Sequence, residues 1–157
     1  MTALPLGDEA LLALSAWSAH ARPWTLVLAN LDWFKAFNDL FGYLEGDRAI
    51  ARVAEVVRGC ADGPHCYRTG GDELLVLSLR ERDLELGVRL HAGVRALGIP
   101  LEHAEVPRAG PLLAVSVAVL YVPALVGPID LLALARERMH ELKGGGRGCV
   151  LAWPVDQ

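Results

Sequence analysis

YRTGGDELLVLSL, residues 67–79, sets two adjacent glycines between apolar, β-rich runs and follows them at once with two acids, Asp72 and Glu73. The glycines predict a tight hairpin turn, because glycine accepts positive φ without steric cost. A backbone stripped of side chains beside paired carboxylates suits a polyphosphate that approaches the main chain while a divalent cation bridges it to the protein. An ordinary surface turn explains the same four residues, and the tetrapeptide alone leaves both readings open.

Outward from the hairpin, periodicity predicts the other elements. Residues 24–31, WTLVLANL, are short, nearly all apolar and bounded by turn signals, which predicts a strand buried on both faces near the middle of a sheet. Residues 112–121 form a second long apolar strand, and 149–153 a closing one. Helical spacing predicts helices over 8–20, 32–40, 47–58, 84–97 and 128–142, the last with Leu131, Ala135, Met139 and Leu142 on its inner face. Gly42 and Gly46 are read as breaks before the third helix, and Pro128 as a first-turn proline of the last. Residues 98–111 mix prolines, glycine and charges without period, which predicts a surface loop. The order implies an α/β fold of the α+β sandwich type, a mixed central sheet flanked by helices.

The whole chain, residues 1–157, is expected to be one domain, with 1–22 a helical lead-in. A net charge of -4 argues against a nucleic-acid partner. Cys60, Cys66 and Cys149 are too few for a tetrahedral zinc site and odd for a disulfide framework, so they read as reduced thiols. No apolar run has the length of a membrane helix and no signal-like segment follows Met1, so the expected location is the cytoplasm.

Several segments together resemble the GGDEF domains, best known as diguanylate cyclases. Gly70-Gly71-Asp72-Glu73-Leu74 matches their hairpin, with leucine at the usually aromatic last position. NLDWFKAFNDLFGYLEGD, residues 30–47, matches their Asp-x-Asp-x-Phe-Lys-x-x-Asn-Asp followed by Gly-His and Gly-Asp. Leu142, Lys143, Gly146 and Arg147 match an Ala-Lys-x-x-Gly-Arg pattern, and the opening TALPL is similar to their Thr-Gly-Leu start. The resemblance implies a nucleotidyl-cyclase, ferredoxin-like fold. It also implies the condensation of two GTP molecules to cyclic di-GMP by a head-to-tail homodimer with Mg²⁺ or Mn²⁺.

It implies roles residue by residue. Asn38 and Asp47 match the guanine-recognising positions, and an amide and a carboxylate suit that base edge; a helix cap and the N-cap of the next helix are their plainer explanations. Gly70, Gly71, Lys143 and Arg147 match the phosphate-binding positions, although cations at a helix C-terminus need no ligand to explain them. Lys35 matches a lysine that meets a phosphate from the same side, or else is plain surface. Asp72 corresponds to a metal ligand, Glu73 to the acid that helps deprotonate the attacking hydroxyl, and Leu31 to a backbone-carbonyl ligand.

The chain departs from the pattern where the metal binds. Asn30 stands at the first aspartate of Asp-x-Asp and brings no charge, so the cation is expected to bind weakly and turnover to be reduced or absent. Tyr43 replaces a histidine, Ala118 a glycine, and Ala135-Arg136 and His140 stand in the last helix for Ala-Asp and a tyrosine. The register of the family's inhibitory product site holds Ala61 and Pro64 rather than Arg and Asp, which implies no feedback inhibition there. Three functions follow: an impaired cyclase, an inactive GTP-binding regulatory module that reports to a sensory or regulatory partner, or a structural dimerisation domain.

Overall fold

The computed structural model describes residues 4–61, 65–101, 111–127 and 129–156. In chain order the elements are α1 (Gly7–Trp17), β1 (Trp24–Leu31), α2 (Phe34–Phe41), α3 (Tyr43–Cys60), β2 (Cys66–Arg68), β3 (Glu73–Ser78), α4 (Leu84–Ala96), β4 (Val115–Val122), α5 (Leu131–Gly145) and β5 (Val150–Pro154). The five strands form one mixed sheet in the order β2-β3-β1-β4-β5. Strand β1 lies at its centre, antiparallel to both β3 and β4, while β4 and β5 run parallel across the α5 connection. This is the expected α+β arrangement of a mixed sheet between helical layers.

Alternation along β1 sorts its side chains between two cores. Val27, Ala29 and Leu31 face the layer of α2, α3 and α4, where they meet Ile50, Val53 and Leu90 among others. Trp24, Leu26 and Leu28 face α1 and α5, where they meet Leu14, Leu131 and Met139. Every residue of the strand is buried, which is why its sequence is nearly all apolar instead of alternating. On the α4 side the contact is close: a Cβ added at Gly87 would lie 2.8 Å from Val119 Cγ2.

Three local expectations are corrected. Helix α3 begins at Tyr43 with Gly42 as its N-cap, at φ 87°, so Asp47 lies inside the helix and is not its cap. Helix α5 begins at Leu131, with Asp130 Oδ1 accepting from Ala133 N at 2.9 Å, and continues to Gly145; Pro128 lies outside the described residues. Neither Gly70 nor Gly71 has φ in the left-handed region. The hairpin turns over a longer loop, closed by Thr69 N donating to Glu73 O at 3.0 Å and by Arg68, which donates to Gly70 O at 3.2 Å and Gly71 O at 2.7 Å.

The described ends of the 98–111 stretch are joined by an antiparallel bridge between Pro100 and Leu112, which buries Ile99, Leu101 and Leu113 in the core. The remainder of that stretch, like Pro64 of the product-site register, lies outside the described residues. Among the described residues no helix is long and apolar enough to cross a membrane.

Candidate functional site

At one end of the sheet, three polar residues lie in a row across three strands. Asn30, near the end of β1, pairs in register with Glu73 of β3 on one side and Ser116 of β4 on the other. Asn30 shares the parity of Leu26 and Leu28, and Glu73 that of Leu75 and Leu77, so both side chains stand on the face that α5 covers. The backbone ties the hairpin to this row through Leu31 N, which donates to Asp72 O at 2.9 Å.

Helix α5 delivers two cations to the row. Lys143 donates to Asn30 Oδ1. Burial pushes its ammonium pKa below the ordinary lysine value, helped by repulsion from Arg147 and opposed by Asp32, Asp72 and Glu73. Arg136 lies along the Glu73 carboxylate, with Nη2 at 2.7 Å from Oε1 and Nε at 3.0 and 3.2 Å from the two oxygens. Thr69 Oγ1 also donates to Glu73 Oε1, at 2.7 Å. The Glu73 hydrogen bond is the main reason the Arg136 pKa is raised.

Asp32 is a third buried centre. It is 3% exposed, accepts from Ser116 Oγ at 2.7 Å and Gly148 N at 3.0 Å, and lies 3.7 Å from Arg147 Nη1. Burial pushes its carboxyl above the usual range, against the opposing Ser116 bond and the nearby cations. Arg147 also lies over the Trp33 ring, 4.4 Å from its centroid. Trp33 itself has φ 59°, a costly conformation for an aromatic residue, at the N-cap of α2.

A second cluster forms where α2 meets α3. Asn38 Oδ1 is buried and has no hydrogen-bond partner among the described residues. A Cβ added at Gly46 would lie 1.8 Å from that oxygen, so a larger residue there would turn the Asn38 amide aside. Asp47, the next residue, is exposed on the same helix, and Lys35 is exposed in the first turn of α2. Gly70 and Gly71 border a separate open cleft of about 290 Å³ with Leu6, Gly7, Arg68 and Thr69.

The structure therefore brings Asn30, Glu73 and Lys143 into one site with Asp72 alongside, and Asn38 beside the residue preceding Asp47. It turns Arg147 toward Asp32 and Trp33. The sequence reading assigned no role to Asp32 and noted Arg136 only as a departure. The signal for Arg136 was its spacing of seven residues from Lys143, which sets both on one face of α5.

The chain's match to the model described as diguanylate cyclase, GGDEF domain, covers residues 8–149. The chain belongs to the GGDEF-domain family. A GGDEF relative, the diguanylate cyclase DgcM of Escherichia coli (strain K12), is 28% identical over 135 residues, which is 85% of this chain and 32% of DgcM. This chain therefore spans about a third of that enzyme's length. An uncharacterized 19.3 kDa protein of Streptomyces ambofaciens is 36% identical over 132 residues, 82% of this chain and 68% of its own. Among solved structures, the GGDEF domain of DgcB from Caulobacter crescentus, in complex with c-di-GMP, superposes with a TM-score of 0.73 at 25% identity, covering 96% of this chain and 92% of that one.

Diguanylate cyclases of the family use Mg²⁺ or Mn²⁺, and the donors of this GGDEF domain do not fit such an ion. The amide oxygen of Asn30 accepts from Lys143, and the neighbouring Glu73 carboxylate accepts from Arg136. That leaves the Asp72 carboxylate and the Leu31 carbonyl, beside two side-chain cations that repel a third. Among the described residues no group of three or more His, Cys, Asp or Glu side chains converges.

Proposed function

We propose that this GGDEF domain serves cyclic di-GMP signalling as a regulatory module that binds GTP or a related guanine nucleotide without turning it over to cyclic di-GMP. Asn38 and Asp47 take the guanine edge. The unpartnered Asn38 Oδ1 supports this assignment, because turning that amide away from Gly46 would satisfy it with the N1 and N2 donors of guanine. Lys143, Arg147 and Lys35 meet the phosphates, and the glycines Gly70 and Gly71 let the hairpin backbone approach them.

The observation that carries impaired turnover is the Arg136–Glu73 pair. A general base must reach the proton it removes, and the Arg136 and Thr69 donors on the Glu73 carboxylate compete with a ribose hydroxyl for its lone pairs. Asn30, neutral and bonded to Lys143, adds no charge for a metal ion. In this reading the bound nucleotide is a state that a partner chain reads.

Calorimetric titration with GTP tests the binding claim. Affinity in the micromolar range that falls about tenfold or more in Asp47→Ala is expected, since each lost charge-assisted hydrogen bond weakens binding by about 1.5–3 kcal/mol. An undetectable heat, or an affinity indifferent to Asp47→Ala, refutes it. The retained Asp72 and Glu73 favour a second reading, a slow cyclase acting as a head-to-tail dimer. Chromatography after incubation with GTP and Mn²⁺ separates the two, as multiple-turnover cyclic di-GMP appears only in the second.

A further inference from the structure

We infer that Arg136 and Lys143 replace the divalent cation of this site, so that the domain takes a nucleoside triphosphate without metal. The inference rests on the guanine-nucleotide reading above and concerns how the same site neutralises its ligand.

Both cations come from one face of α5, held against the sheet by buried Ala135, Met139 and Leu142. They end on neighbouring residues of the sheet, since Asn30 and Glu73 are cross-strand partners. The site is also balanced in charge: Asp32, Asp72 and Glu73 are matched by Arg136, Lys143 and Arg147. A divalent ion held by Asp72 and the Leu31 carbonyl would have to enter beside the Lys143 ammonium on Asn30, with the Arg136 guanidinium on the neighbouring Glu73.

Phosphate oxygens find free side-chain donors here. The Arg136 side chain is 48% exposed, and its guanidinium keeps donor capacity beyond the Glu73 contacts. The Lys143 ammonium has three donors and, among the described residues, one acceptor partner, Asn30 Oδ1. A triphosphate can thus be met by a planar fork and a point charge carried on a rigid helix, which supply the charge that a metal ion otherwise brings.

Two measurements on the intact chain test this. In calorimetric titration with GTP, the dissociation constants in EDTA and in Mg²⁺ are expected to agree within about threefold, and Arg136→Ala is expected to weaken binding in EDTA about tenfold or more. Arg136→Lys, which keeps the charge, recovers part of that loss; thermal unfolding by circular dichroism checks that both variants fold. In the second, Mn²⁺ added to the nucleotide-free protein stays free by electron paramagnetic resonance, whereas Asn30→Asp combined with Arg136→Ala takes it up. GTP binding that requires Mg²⁺, Mn²⁺ uptake by the unaltered protein, or an Arg136→Ala affinity equal to wild type overturns the inference and leaves the nucleotide reading standing. Absence of GTP binding with and without Mg²⁺ overturns both.

Discussion

Single residues set what the site can do, and the Asn38–Gly46 contact is the narrowest of these constraints. A methyl group at Gly46 would overlap the Asn38 amide oxygen, so Gly46→Ala must displace that amide. The displaced group is the end of a flexible side chain and alanine favours the helix, so urea titration is expected to show a stability change within about 1 kcal/mol, while GTP affinity falls about tenfold by calorimetry. Asp32 makes a prediction in pH. Its carboxyl is raised chiefly by burial, so it binds its proton more tightly folded than unfolded. The stability tied to that proton is full below the ordinary carboxylate value of about 4 and is lost as pH rises through the higher folded value. Urea midpoints of the wild type should therefore fall relative to Asp32→Asn as pH is raised from about 4 toward neutrality. A difference that stays constant across that range contradicts the sign.

Secondary-structure elements are fixed by caps as much as by periodicity. At the start of α4, Asp83 Oδ1 accepts from Leu86 N at 3.2 Å while Oδ2 accepts from Ser78 Oγ at 2.7 Å, which joins the helix to the end of β3. Asp83 N donates in turn to Thr25 Oγ1 at 2.9 Å. Asp83→Ala removes the cap and leaves Ser78 without its acceptor, and a loss of about 1–2 kcal/mol is expected by urea unfolding, with Asp83→Asn losing less. Elements with strong patterns were legible in the sequence: the bounds expected for β1 are those observed, because an eight-residue apolar run between turn signals has few other fates. The start of α3 was misread because Gly42 and Gly46 look like breakers. Gly42 is indeed the N-cap, but Gly46 is a helical residue that packs against the Asn38 amide across the α2–α3 contact.

At the scale of the whole molecule, one central strand feeds two cores, so damage on either side should be felt by both. Leu28, fully buried on the α1/α5 side, is expected to cost about 2–5 kcal/mol on truncation to alanine. Unfolding followed by circular dichroism and by tryptophan fluorescence should remain a single coincident transition, since the two cores share β1. Transitions that separate would show that the layers unfold independently. The sequence by itself determined the family, the mixed sheet between helices and the identities of Asn30, Asp72, Glu73 and Lys143, because these are carried by local patterns and short motifs. Only the tertiary structure decided what those groups touch. Glu73 and Arg136 are 63 residues apart, and Asn30 and Lys143 are 113 apart; the β1–β3 register and the packing of α5 bring each pair into contact, and no local pattern in the chain encodes that meeting. The GGDEF hairpin thus keeps its acids while the fold supplies them with side-chain cations.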